Sequence, residues 1–457
     1  MVPWFPGAVS AQDGETEGRP EMMREPTAFV NVIDSFDEED LFDLHIGVGF
    51  QRTWEIGRVQ RQADAAAPDP RPGMNGHSNY WNDIANYERG LNLLNLSLEV
   101  GVFRDLALYA RLPVILSDDR VLSRAGGDPS AFLATPDGVP LFDLPAGGLR
   151  SPTRSGIDSI TVGAAWSILN QERDPNVATW MILLEGRFNL GEPMRACAAG
   201  LPCNDRDFTS TGMAAPASLG PGVGRGMNAL RAETRTSWRY EVIEPYAGLA
   251  FQMEWPGYNS STFLPQGDLQ GYINEQPPIF GRFTLGVAIV PWEDREAFQR
   301  LTIDVRFTGD YLSEGHDYSP LFDALGTSTN LHLAALNRET ECPPDGPCDG
   351  NIPFYGLTDT QSRGRFGANL FVEMVAARYV RFSAYGGFTY SPSYVITQAD
   401  ACNPNVSGVS DTDPRRGTCV SGIINPHHRP SIDLPGQRFR MDDVWTVDIG
   451  VTATATF

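Results

Sequence analysis

The last fifteen residues, Asp443 to Phe457, alternate with a period of two. Trp445, Val447, Ile449, Val451, Ala453, Ala455 and Phe457 form one set, and Val444, Thr446, Asp448, Gly450, Thr452, Thr454 and Thr456 form the other. Successive side chains of a strand point to opposite faces, so this segment has one apolar face and one mostly small, polar face. Strands of soluble sandwiches are usually five or six residues long, whereas one crossing a bilayer needs ~9–11. The run is long enough to cross.

The same alternation recurs upstream. Leu44, Ile46, Val48, Phe50 and Trp54 make the first apolar face, followed by a polar stretch to about Gly90. Leu94–Val102 and Leu106–Val114 are two runs separated by Arg104-Asp105, which predicts a tight hairpin. A loop from Ser117 to Gly156 is expected next. Further hairpins are predicted at Ile160–Ile168 with Trp180–Phe188, Thr234–Tyr240 with Tyr246–Met253, Phe283–Ile289 with Leu301–Phe307, and Phe366–Met374 with Val380–Phe388. In the second of these the in/out assignment is ambiguous. With the closing strand this makes twelve, and five short turns alternate with six long loops. Even strand number with loops sorted by length predicts an all-β fold, a transmembrane up-and-down antiparallel β-barrel with periplasmic turns and extracellular loops. Aromatics border both rims: Trp166, Trp180, Trp238, Tyr246 and Trp292 at the turn ends, and Trp54, Trp255, Tyr311, Tyr390 and Trp445 at the loop ends.

A carboxy-terminal strand that ends on Phe457 resembles the signal read by the outer-membrane assembly machinery of Gram-negative bacteria. The stretch Leu98–Pro113, with Gly156–Gly163 beyond its loop, resembles the outer-membrane transporter family of phenol-degradation pathways. In that family a strand ending Leu-Pro precedes a long loop and a Gly-Asp-led strand; here the residues are Leu112-Pro113 and Gly156-Ile157-Asp158. The resemblance implies a barrel in the bacterial outer membrane, with lipid and the assembly machinery as partners.

Composition fits this picture. The net charge is −22, from 57 acidic and 35 basic residues, all of the latter arginine. A chain this acidic lacks the basic footprint that nucleic acids require. No run of eighteen apolar residues occurs, so no membrane-spanning helix is predicted. The six cysteines fall as Cys197/Cys203, Cys342/Cys348 and Cys402/Cys419, each pair within one predicted outer loop. Even number and local pairing predict three disulfides and an oxidising compartment, and none of the pairs has the spacing of a zinc site. No cofactor or metal is expected.

The first 40 residues read as a separate acidic lead-in and residues 41–457 as the barrel. Between Asp13 and Asp43 there are eleven carboxylates against Arg19 and Arg24. Met1–Gln12 is either the remnant of a signal peptide or a tail, and Phe29–Ile33 either a short extra strand or a segment tucked under the barrel. Asp37–Asp40 lacks the glycine and spacing of an EF-hand.

If the apolar set faces lipid, the opposite set lines the lumen. It contains Arg111, Glu185, Arg187, Arg231, Glu233, Arg235, Arg239, Asp304, Arg306, Asp310, Glu373, Arg381 and Asp448. Charges cannot face hydrocarbon cheaply, so their parity supports the orientation. They read equally as a selectivity lining for small solutes or as an ion-pair network filling a narrow barrel. Arg231, Arg235 and Arg239 would favour anions. The leading expectation is a porin-like channel for passive passage of small solutes; the alternative is a structural or adhesive barrel with a plugged lumen and disulfide-pinned, partner-binding loops. No catalytic residue is predicted. His316 near Asp310 and Asp317, and the His427-His428 pair, are the loop groups from which a hydrolytic site would have to be built.

Overall fold

The computed structural model describes residues 26–33, 43–62, 81–126, 129, 133–135, 138–199, 203, 220–257, 271–294, 296–330, 333, 335–337 and 351–457. Twelve strands close a single barrel. They are β1 (Leu44–Gln62), β2 (Trp81–Phe103), β3 (Leu106–Arg124), β4 (Ser159–Leu169), β5 (Thr179–Asn189), β6 (Met227–Ser237), β7 (Ile243–Pro256), β8 (Phe280–Asp294), β9 (Gln299–Leu312), β10 (Arg363–Ala377), β11 (Val380–Ser391) and β12 (Phe439–Thr456). Each pairs antiparallel with its sequence neighbours, and β12 returns to pair with β1 from His45↔Thr456 to Arg61↔Phe439. Leu44 N donates to Phe457 O and Phe457 N to Leu44 O, sealing the seam at its lower end. Closure leaves no unpaired sheet edge, a condition for any sheet immersed in hydrocarbon.

Side-chain parity follows the sequence. Leu184, Leu249, Phe251, Leu285, Phe307 and Val451 are half or more exposed on the outer face. Leu249, Phe251 and Met253 facing outward resolves the ambiguous hairpin. Trp166, Trp180 and Trp292 at one rim, and Trp54, Tyr311 and Trp445 at the other, are also outward and exposed. The expected girdles therefore exist, with one correction: Tyr246 is buried, pointing into the lumen. Its neighbours in the ladder explain why. Gly286, its partner on β8, lies so close to the Tyr246 ring that a Cβ there would sit 2.3 Å from it.

A second correction concerns height. The polar stretch before Gly90 and the expected loop from Ser117 are largely strand: β1 continues to Gln62, β2 begins at Trp81 and β3 runs to Arg124. Together with the 18-residue β12 they raise one wall well above β4–β6, each 11 residues long. A bulge marks where the tall wall changes character. Asp443 takes φ 47°, and the β1–β12 register shifts between Ile56 and Arg58. A bulge adds a residue to one strand, so the parity above it can change. Above it, apolar Val59, Ile84, Leu122, Phe439 and Met441 point inward against loop residues Leu141, Phe142, Leu321, Ile396 and Ile432. The outer loops thus fold over the mouth with a hydrophobic core of their own.

Two of the expected disulfides form, Cys197–Cys203 and Cys402–Cys419. Cys342 and Cys348 lie outside the described residues, as do residues 1–25 and the Asp37–Asp40 cluster. Of the acidic lead-in, residues 26–33 are described, and they pack inside the barrel.

Candidate functional site: the lumen

The predicted lumen residues that lie in strands are on the inward parity, Arg239 lies in the turn after β6, and most meet a partner of opposite charge. Three levels can be distinguished along the barrel.

At the turn end, residues 26–33 occupy the lumen. Val30 N and Asn31 N donate to Thr27 O, forming a tight turn. Phe29, Val30, Val32 and Ile33 are buried against Ala107, Tyr109, Ala165, Met181, Leu183 and Tyr246 of the wall. The Phe29 ring stacks on Tyr246 at 4.2 Å, and the guanidinium carbons of Arg235 and Arg306 each lie 4.6 Å from its centroid. Arg235 Nη1 also donates to Phe29 O at 2.7 Å, and Thr27 N donates to Glu244 Oε2 at 3.0 Å. The Tyr246 hydroxyl donates to Asp304, which pairs with Arg306 at 2.7 Å. Gly248 makes room: a Cβ there would come within 3.0 Å of Phe29 Cζ. Arg235, Asp304 and Arg306, legible as lumen charges, thus hold a plug. Such groups bind an aromatic face through its quadrupole and carbonyls through directed N–H bonds.

Above the plug is a pinch. Glu185 bridges strands by accepting from Arg111 at 3.1 Å and pairing with Arg231 at 3.4 Å; Arg231 and Arg235 both pair with Glu233. A hollow of about 170 Å³ lies on the plug side of this bridge, lined by His45, Glu99, Arg111 and Arg381 among others. Glu373 and Arg381 stand 4.0 Å apart nearby, Arg239 lies 3.7 Å from Glu293 towards the turns, and Asp448 accepts from Gln51 at 3.4 Å and from Thr53.

On the other side of the bridge the lumen opens into a chamber of about 660 Å³. Eight arginines and five carboxylates line it. Arg187 and Arg225 converge on Glu254 at 2.6 and 3.0 Å, and Arg225 reaches on to Asp317 at 2.7 Å. Arg282 and Arg365 share Asp310 at 2.7 and 3.1 Å. The roof is the loop cap. Its helix α1 (Phe322–Gly326) carries Asp323, which is buried and pairs with buried Arg154 at 2.6 Å while accepting from Cys197 N at 3.0 Å.

The loop histidines are arranged differently from the sequence expectation. Asp310 and Asp317 are engaged by arginines, and His316 instead hydrogen-bonds Asp359, Nδ1 to Oδ1, at 2.6 Å. Asp359 carries no local signal in the sequence. It meets His316 only because Gly315–Asp317 and Thr358–Thr360 pair antiparallel across the loop. Likewise Arg225, Glu254, Arg282 and Arg365 carry little alternation signal, since the first lies just before β6 and the others sit at strand ends where parity is harder to follow.

No protein-family model matches this chain, and no curated protein does. Among solved structures, an outer membrane channel from Pseudomonas putida F1 aligns with a TM-score of 0.38 and 8% identity, over 95% of this chain and 99% of that one. A FadL homologue from Pseudomonas aeruginosa gives 0.33 and 9% over 91% and 90%, and the outer membrane protease OmpT from Escherichia coli 0.29 and 8% over 91% and 96%. Scores and identities this low assign no activity. The fold rests on the ladder itself: a closed barrel of even strand number, apolar outside, with short turns at one rim and long loops at the other. That is the architecture of a bacterial outer-membrane barrel.

Proposed function

We propose that this protein is an outer-membrane channel, closed at its turn end by residues 26–33, whose chamber takes small anionic solutes for passive passage. The observation that carries the proposal is the chamber. It is roomy enough for a small solute, and eight arginines and five carboxylates line it, with Asp310, Glu185 and Glu233 pairing with three of those arginines from beside the lining. Pore selectivity follows from rings of charged side chains, and lining guanidinium groups favour anions, with the fork geometry suited to carboxylates or phosphates. The lower closure is a short segment held by non-covalent contacts, which is the kind of element that an open state can release. Lipid is the partner of the outer belt, and the strand ending on Phe457 is the segment the assembly machinery would read.

The second reading, a structural or adhesive barrel, is favoured by the closure of both ends and by the Cys402–Cys419 staple in an outer loop. Planar-bilayer recording separates the two. The refolded full chain should conduct with low open probability, and a chain lacking residues 1–33 should stay open and show anion-selective reversal potentials in a salt gradient. Absence of conductance at any voltage from both proteins would reject the channel and leave the plugged scaffold.

A further inference from the structure

Above the chamber, two histidines and a carboxylate from distant parts of the chain are gathered in the cap. His316 stands on the rung Gly315–Asp317, Asp359 directly opposite it on Thr358–Thr360, and His427 in the loop that carries the Cys402–Cys419 disulfide. His316 Nδ1 is 2.6 Å and His427 Nδ1 3.6 Å from the same oxygen, Asp359 Oδ1. The two imidazoles are stacked, centroids 3.7 Å apart and planes 6° from parallel. The side chains of His316, Asp359 and His427 are 6%, 2% and 9% exposed.

We propose that His316, Asp359 and His427 form a binding site for one divalent transition-metal ion of the zinc class, which fastens the loop cap. One potential donor atom from each residue lies within 4.8 Å of the others. A tetrahedral ion with bonds of about 2.0–2.2 Å holds its ligand atoms about 3.3 Å apart, and each imidazole lone pair lies in its ring plane, so binding would tilt the two stacked rings out of parallel and draw His316 Nδ1 and Asp359 Oδ1 apart around the ion. Two imidazoles with one carboxylate suit zinc, nickel, cobalt or copper; calcium and magnesium prefer oxygen-only shells. Three protein ligands leave a fourth position for water.

The surroundings have the form of an outer ligand shell. Asn274 Nδ2 donates to Asp359 Oδ2 at 3.1 Å, which fixes the carboxylate and leaves Oδ1 directed at the histidines. The Tyr272 ring packs 4.4 Å from the His427 ring. Such partners orient ligands and tune their basicity. Asn274 belongs to the loop between β7 and β8, His316 and Asp359 to that between β9 and β10, and His427 to that between β11 and β12. An ion here would join two of these loops directly and brace the third through Asn274. Binding requires neutral imidazoles with the lone pair of the ligating nitrogen free, so affinity should fall with acid.

The test uses the refolded full chain with its disulfides intact, in detergent, at pH 7.5. Titration with Co²⁺ should give one equivalent with visible absorption of a low-symmetry nitrogen–oxygen site, displaced by Zn²⁺. His427→Ala, and the size-conserving His427→Gln and His316→Gln, should each weaken Zn²⁺ binding at least ~100-fold. Asn274→Ala should weaken it ~10-fold. His45→Gln, in the barrel wall, should leave it unchanged. Heat-modifiable gel migration checks that each variant is folded. Zn²⁺ should also slow proteolysis of the 392–438 loop in the parent and not in His427→Gln. Lack of a stoichiometric site in the parent, or folded His316 and His427 variants that bind within threefold of it, would overturn the proposal.

Discussion

Phe29→Ala is the most direct probe of the lower closure. The Phe29 ring is buried, stacked on Tyr246 and flanked by two guanidinium groups. Truncating a buried phenylalanine to alanine costs ~3–5 kcal/mol, which includes the cavity it leaves. The stack contributes ~0.5–1.5 kcal/mol, and each flanking cation ~0.5–2 kcal/mol. In the proposed channel those contacts vanish once residues 26–33 leave the lumen, so their loss would shift the ratio of closed to open states and little else. Some of the cavity would be filled by relaxation, so about 3 kcal/mol is the appropriate figure. At room temperature that is a ~150-fold shift, since each 1.4 kcal/mol is a factor of ten. The assay is single-channel recording in a planar bilayer, comparing the fraction of time open for the parent, Phe29→Ala and a chain lacking residues 1–33. Phe29→Ala should fall between the other two and much nearer the truncated form. Tyr246→Phe keeps the ring stack and removes only the hydroxyl bound to Asp304, so its effect should be smaller than that of Phe29→Ala. If the truncated chain opens and Phe29→Ala gates within threefold of the parent, the ring does not hold the plug and the reasoning fails.

Glu185→Gln should release Arg111 and Arg231 from their shared carboxylate and leave a net extra positive charge at the pinch, raising anion selectivity as a several-millivolt shift in reversal potential. An unchanged reversal potential would place the pinch off the conduction path. Asp323→Ala strips the partner from Arg154, a buried guanidinium, and breaking a buried pair on one side costs ~3–5 kcal/mol. Limited proteolysis should then cut the cap far faster while heat-modifiable migration of the barrel persists; equal loss of both would mean that cap and barrel unfold together. The cap should also loosen as pH rises. Burial among loop residues pushes the Asp433 carboxyl up to about 8, against the pull of the Arg429 and Ala399 backbone amides that donate to it. Its neighbours are the Arg429 guanidinium, His428 at 4.0 Å and the Asp359 carboxylate, which adds to the upward push. A carboxyl raised in the folded state from an ordinary 3.8 contributes its stability below about pH 4 and loses it as pH rises through about 8, at no more than ~1.4 kcal/mol per unit. Proteolysis of the 392–438 loop should therefore accelerate steadily between about pH 4 and 8 and level off above that, and Asp433→Asn should flatten that dependence.

The division between what the sequence reveals and what it conceals follows the solvent on each face of the wall. In β12 from Val444 to Thr456, lipid lies outside and charged or small groups inside, so apolar and polar residues alternate and the pattern can be read directly. Above Asp443 the outside is water and the inside is the packed cap. Apolar Phe439 and Met441 now point inward, and the bulge shifts the phase. The continuation of β1–β3 is therefore indistinguishable from a polar loop, although Val59, Ile84 and Leu122 carry its apolar face. The plug shows a different limit. Phe29–Ile33 is visibly apolar in an acidic segment, which marks it as buried somewhere. Its seat is set by Gly248, Gly286, Arg235 and Arg306 on four consecutive strands, and only the cross-strand register brings these together. The same holds for Asp359, which reaches His316 through the register of a three-residue rung and His427 through the fold of another loop. Alternation along one strand is local and legible. A site assembled across strands depends on which residues closure makes opposite, and here the closed wall turns a row of alternating charges into a plug seat, a pinch and a chamber.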